Sequence, residues 1–190
     1  MRTSSALAVT LCILASICRL QTAVEATFLK KTVQITHYTH ETRGGPNGTF
    51  LLAAGTPQPD LGVGAAFGSF VVYDNVMREG ASPTSQMIGR IAGTAVGVVK
   101  PSSTPDNNTR VQIVMQHIFG EASQYNGSTI DVVGIFFFNP PWEMRVPGAT
   151  GKLRGYTGYG LCQPISQTTG APPLLLVYRW DFYLTKTEDF

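Results

Sequence analysis

Residues 109–119 read Thr-Arg-Val-Gln-Ile-Val-Met-Gln-His-Ile-Phe, and this stretch decides the fold class. Val111, Ile113, Met115 and His117 alternate with Gln112, Val114, Gln116 and Ile118. A period of two puts the first set on one face of an extended strand and the second on the other. A surface helix would need apolar residues at three- and four-residue spacing, and no window of the chain shows a clean stripe of that kind.

The same alternation runs from Lys31 to Thr39, with Val33, Ile35 and His37 opposing Thr32, Gln34, Thr36 and Tyr38. Further strands are predicted at 49–54, 67–73, 85–99, 128–138, 152–161 and 174–184. Gly89, Gly93 and Gly97 inside the fourth fit sharp curvature or close backbone approach. Turn signals separate the strands: Gly44–Gly48, Pro57–Gly64, Arg78–Pro83, Lys100–Asn108 and Glu121–Gly127. Pro140, Pro141 and Pro147 are read as a break before the strand at Lys152. Eight short strands at this spacing make an all-β sandwich or closed barrel, and the pattern leaves those two open. Closure would remove exposed edges, and a barrel interior of this size can hold one small ligand.

Composition narrows the function. The 190 residues carry a net charge of +2, with 14% charged and 43% hydrophobic residues. These values exclude an acidic disordered chain, a basic nucleic-acid arm and a coiled coil. Arg2 followed by the apolar run Ala6–Cys18 reads as a secretory signal peptide, because a membrane span needs ~20 apolar residues. Small residues at Val24 and Ala26 place cleavage after Ala26, giving a signal peptide over 1–26 and a mature domain over 27–190. Cleavage removes Arg2, Arg19 and Glu25, leaving a net charge of +1 and no strong field to steer nucleic acid or an anionic membrane. It also removes Cys12 and Cys18, so Cys162 is expected to be a buried free thiol. On a secretory route, Asn47-Gly48-Thr49, Asn107-Asn108-Thr109 and Asn126-Gly127-Ser128 are N-glycosylation acceptors beside turn residues.

Generic catalytic patterns fail on their own geometry. His37 and His40 stand three apart on a strand, point to opposite faces and cannot share one metal ion, and His117 reads as a lone packed histidine. Gly62-x-Gly64-x-x-x-Gly68 misses the dinucleotide spacing and opens a strand rather than a helix. Gly148–Leu153 is too short for a phosphate loop, with Leu153 where a magnesium-binding hydroxyl is needed. No G-x-S-x-G elbow exists. Phe136, Phe137 and Phe138 at strand spacing are core rather than base-stacking residues.

A shared order of short motifs is more specific. Phe67-Gly68, Val72-Tyr73-Asp74, Gly80, Ser85 and Gly89-Arg90-Ile91-Ala92-Gly93 are followed by Tyr125-Asn126-Gly127-Ser128-Thr129-Ile130 and Gly134. Then come Glu143-Met144, Val146, Gly148–Arg154 and Gly158-Tyr159, with His40-Glu41 as a His–acid pair on the first strand. From about Val33 to about Leu184 the chain resembles the plant dirigent proteins. The resemblance implies an eight-stranded antiparallel β-barrel, related in form to allene oxide cyclase. It implies a homo-oligomer (dimer or trimer) and secretion to the apoplast as a glycoprotein. It also implies stereoselective coupling of phenoxy radicals, such as those of coniferyl alcohol, made by an external laccase or peroxidase. No metal or organic cofactor is implied. Some relatives act instead on quinone-methide-type intermediates.

Residue by residue, the resemblance assigns Glu41 as pocket acid and Tyr73, Asp74, Arg90, Glu143 and Tyr156 as substrate-binding candidates. The chemistry fits those types: a carboxyl group can protonate a quinone-methide oxygen, and a guanidinium can hold the oxyanion that forms. The chain also departs from the family. Phe136 stands where an Asp is common, Trp142 where an Arg is common, and Thr157 where a further Arg is usual, with Arg145 or Lys152 as substitute cations. The early cysteine of the mature family domain is missing. An isomerase, cyclase or dehydratase on the same barrel, and a cell-wall or defence binding protein, are the rival readings.

Overall fold

The computed structural model describes residues 31–55, 67–100, 110–136 and 140–186. The expected signal peptide, the Pro57–Gly64 loop and Asn107 lie outside the described residues. One compact unit spans Thr32–Thr185. Its strands are β1 (Lys31–Arg43), β2 (Phe50–Ala54), β3 (Phe70–Arg78), β4 (Met87–Val99), β5 (Arg110–Phe119), β6 (Thr129–Phe136), β7 (Trp142–Ala149), β8 (Tyr156–Gln167) and β9 (Leu174–Lys186). They follow one another around a closed barrel, which decides between the two architectures left open by the sequence. Neighbours from β2 to β8 pair antiparallel, and β1 meets β2 through the single parallel bridge Arg43↔Phe50.

The barrel has nine strands rather than eight, and the unforeseen one is β7. Its prolines read as a break, yet Met144 and Val146 are buried while Glu143, Arg145 and Pro147 face out. Pro147 is tolerated because the β6–β7 register shifts between Asp131 and Val133, and the β7–β8 ladder ends at Val146. β1 and β3 also run further than expected, to Arg43 and Arg78.

Alternation builds the interior. His37, Thr39 and Glu41 of β1, Tyr73, Asn75 and Met77 of β3, Ile113, Met115 and His117 of β5, and Trp180, Phe182 and Leu184 of β9 are all buried. Strand-interior glycines let the wall close: a Cβ on Gly93 would collide with the Val114 carbonyl oxygen, and one on Gly89 with that of Ile118. Among the described residues no helix is long and apolar enough to cross a membrane.

Candidate functional site: a polar barrel mouth

β1 runs towards one end of the barrel, where Arg43 meets Phe50 and Phe50 meets Tyr73. β6 and β7 reach the same end of their ladders at Phe136 and Trp142, and Trp142 pairs with Cys162. The inward row of β1 therefore delivers Glu41 and Arg43 side by side into this mouth. Arg43 Nε donates to Glu41 Oε1 at 2.5 Å, with side-chain exposures of 14% and 7%. Asn75 Nδ2 donates to Glu41 Oε2 at 3.0 Å. Arg43 Nη2 donates to the Tyr178 hydroxyl at 3.2 Å, and its guanidinium lies 4.5 Å over the Phe50 ring. Phe50 in turn stacks on Tyr73 at 6.2 Å. Trp142 packs against Phe136 at 4.7 Å and faces Tyr178 at 6.3 Å, so aromatic rings wall the ion pair.

The electrostatics follow from burial. Removal from water opposes the Arg43 charge, but Glu41 and Tyr178 outweigh it and hold the guanidinium above its ordinary value. Burial, then the Glu41 charge, push the Tyr73 and Tyr178 phenols and the Cys162 thiol up. All three stay protonated at neutral pH, and Cys162 is a buried free thiol as expected.

Deeper on β1, His37 Nε2 and His117 Nδ1 form a 2.8 Å hydrogen bond. At this level β1 pairs directly with β3, so β3 and β4 lie between β1 and β5, and the bond crosses the buried interior. His117 is thus not the lone histidine its sequence neighbours suggested. Phe182 stacks on His37, and Trp180 meets His117 edge-on. His37 Nδ1, His117 Nε2 and Thr39 Oγ1 have no hydrogen-bond partner. Burial lowers His37 to about 3 and His117 well below its ordinary value, so both rings are neutral. His40 faces the other way, hydrogen-bonded to the Gly80 carbonyl.

Of the residues singled out in the sequence, Glu41 and Tyr73 come together in the mouth. Asp74 and Arg90 pair on the outer wall at 2.6 Å, 58% and 43% exposed. Glu143 is on the outward face of β7. Tyr156 begins β8, beyond the Val146↔Gly158 pair and hence at the end away from Trp142, beside Tyr125. Asp74, Arg90, Glu143 and Tyr156 therefore do not share the mouth with Glu41, because strand alternation turns the first three outward and register carries the fourth to the far end. The substitute cations are also elsewhere: Arg145 is exposed, and Lys152 Nζ donates to the Gln124 carbonyl. The mouth cation is Arg43, which sequence reasoning missed together with Thr49, Asn75 and Tyr178. Reading the β1 alternation two steps past Thr39 would have found it. Asn47 and Asn126 are exposed in turns, whereas Ser128 of the Asn126 sequon is buried and accepts from the Lys152 backbone N–H. Among the described residues no group of three or more His, Cys, Asp or Glu is placed to hold a metal ion.

The fold is thus a closed barrel with a buried carboxylate–guanidinium pair beside aromatic side chains at one mouth. The sequence profile of the dirigent-like protein family matches residues 32–184, and the chain belongs to the dirigent family. It is 29% identical to Dirigent protein 1 of Arabidopsis thaliana over 133 residues, 70% of this chain and 69% of that one. It is 30% identical to Dirigent protein 23 of the same plant over 145 residues, covering 74% and 71%. Two solved structures of pterocarpan synthase dirigent proteins share the fold. One has a TM-score of 0.67 at 20% identity, covering 85% of this chain and 88% of its own. The other has a TM-score of 0.66 at 22% identity, covering 84% and 97%.

Proposed function

We propose that this dirigent protein binds phenolic intermediates in the barrel mouth and directs their coupling to one stereoisomer. The radicals, of the coniferyl alcohol type, come from a separate laccase or peroxidase. The observation that carries the reading is the buried Glu41–Arg43 pair inside an aromatic wall. Radical coupling needs little barrier lowering but strict orientation, which stacked rings and a fixed hydrogen-bonding pair supply without an oxidising centre. Glu41 offers oxygen acceptors to a phenol hydroxyl, and Arg43 offers a cation to the oxygen of a quinone methide. The same pair favours a second reading, cyclisation of a quinone methide without any oxidase, as on an isomerase or dehydratase.

The physiological setting belongs to the same proposal. The protein is secreted to the apoplast as a glycoprotein, with exposed Asn47 and Asn126 as acceptors, and it assembles as a homo-oligomer. An outward row of mostly apolar residues supports the assembly. Leu51, Val72, Thr94, Val114 and Val133 are register partners across five strands, with Leu51 66%, Val72 41% and Val114 52% exposed. A second copy would cover this row. Val114→Lys is expected to shift the molar mass measured by light scattering to that of a monomer; an unchanged mass would place the interface elsewhere.

The functional test is coupling of coniferyl alcohol by laccase, resolved by chiral chromatography. Added protein should give an excess of one enantiomer at an unchanged oxidation rate. A racemic product would reject directed coupling of this substrate, and turnover of a quinone methide without laccase would favour the cyclase reading.

A further inference from the structure

We infer that Thr49, the hydroxyl residue of the Asn47-Gly48-Thr49 sequon, is a positioning residue that fixes Glu41 as a hydrogen-bond acceptor for the ligand's hydroxyl. The inference rests on the phenol-binding reading above. Its basis is a chain of hydrogen bonds in which every donor is determined. The Thr42 backbone N–H donates to Thr49 Oγ1 at 2.9 Å. The Thr49 hydroxyl has one hydrogen, and Asn75 Oδ1 at 2.6 Å receives it in preference to the Thr42 carbonyl at 3.5 Å. Asn75 then has only its amide N–H groups left for Glu41, and Nδ2 donates to Oε2 at 3.0 Å. Both ends agree, because a carboxylate paired with Arg43 can only accept.

The chain matters because an asparagine amide has two orientations. Turned over, Asn75 would aim its oxygen at a buried carboxylate, where repulsion would displace Glu41 from Arg43. Thr49 holds Oδ1 and the Glu41 carboxylate holds Nδ2, and the two contacts together fix the orientation and place of the amide. Thr49 reaches the mouth from the β1–β2 turn, anchored by its N–H to the Thr42 carbonyl at 2.8 Å. A carboxylate has about four acceptor directions, and Arg43 and Asn75 use two of them. Others remain for a hydroxyl of the ligand. One side chain thus serves both the glycan acceptor motif and the geometry of the mouth, and the two roles separate by mutation. Asn47→Gln removes the sequon alone, Thr49→Val removes sequon and hydroxyl, and Thr49→Ser keeps both.

The experiment measures two quantities on the full secreted chain. One is hydrogen exchange of the Asn75 side-chain amide by NMR; the other is coniferyl alcohol affinity from quenching of tryptophan fluorescence. Wild type, Asn47→Gln and Thr49→Ser should all show a slowly exchanging Asn75 amide and affinities within about twofold of one another. Thr49→Val should exchange rapidly and bind about tenfold more weakly, the scale of one hydrogen bond to a charged group. Thr49→Ala repeats the test should valine disturb the turn. An unchanged Asn75 amide in both hydroxyl-free variants would overturn the inference. So would wild-type affinity in them, or an equal loss in Asn47→Gln. Wild type with a protected amide but no affinity for coniferyl alcohol would instead defeat the phenol reading and leave the positioning chain standing.

Discussion

Glu41–Arg43 and Asp74–Arg90 join the same chemical groups at 2.5 Å and 2.6 Å, one inside the barrel mouth and one on its outer wall. The outer pair is about half exposed, so water and salt screen it and each partner has solvent as an alternative. The inner pair is largely withdrawn from solvent, at 14% and 7% exposure. Its carboxylate takes hydrogen bonds from Arg43 and Asn75, and its guanidinium is stacked on Phe50. Contact distance does not separate a site from a surface ornament; the face of the strand on which the pair falls does. Asp74 is flanked in sequence by Tyr73 and Asn75, which both point inward.

Removing one partner from each pair should separate the two most strongly. Arg43→Met leaves a buried carboxylate without its cation and should cost about 3–5 kcal/mol in urea unfolding. A cost below about 1 kcal/mol would mean that water reaches the mouth freely and that the two pairs are equivalent.

A buried pair with no net charge sharpens the contrast further. His37 and His117 are held neutral by desolvation, with His37 at about 3. The unfolded chain takes up protons near 6.5, before the folded one does, so stability held above that pH is lost as the pH falls from 6.5 towards 3. At pH 5 the loss should reach roughly 2 kcal/mol for His37, since one unit corresponds to about 1.36 kcal/mol, and His117 adds to it in the same direction. Replacing both rings by leucine should flatten unfolding free energy between pH 6.5 and 5. An unchanged slope would show that carboxylates alone set the acid limb.

The smallest effect is expected outside. Arg90→Met should change stability by no more than about 1 kcal/mol and leave ligand affinity untouched. A larger loss would make the outer wall structurally equal to the mouth.

Much of the fold was legible because its signal is local. The alternation at Thr109–Phe119 matches the buried and exposed faces of β5 residue for residue from Gln112 onwards. β7 was not legible, because Pro147 contradicts a strand unless a bulge in the partner is known, and that bulge belongs to another segment. The site divides in the same way. Glu41 was reached through the family resemblance, and the outward turn of Asp74, Arg90 and Glu143 follows only once the strand register is known. Arg43 lay one alternation step beyond Glu41, past the expected end of β1. Thr49, Asn75 and Tyr178 meet Glu41 or Arg43 only through closure of the barrel, which joins residues as far apart as 43 and 178. The His37–His117 bond, across 80 positions, has no local signature at all.

The central claim is that chemistry resides in the inner pair and not in the outer one. Its most direct test is the enantiomeric excess of laccase-coupled coniferyl alcohol with wild type, Glu41→Gln and Asp74→Asn side by side, each shown to be folded. The account predicts an excess with wild type, the same excess with Asp74→Asn, and a racemic product with Glu41→Gln. Loss of the excess with Asp74→Asn while Glu41→Gln keeps it would contradict the account and move the site to the outer wall.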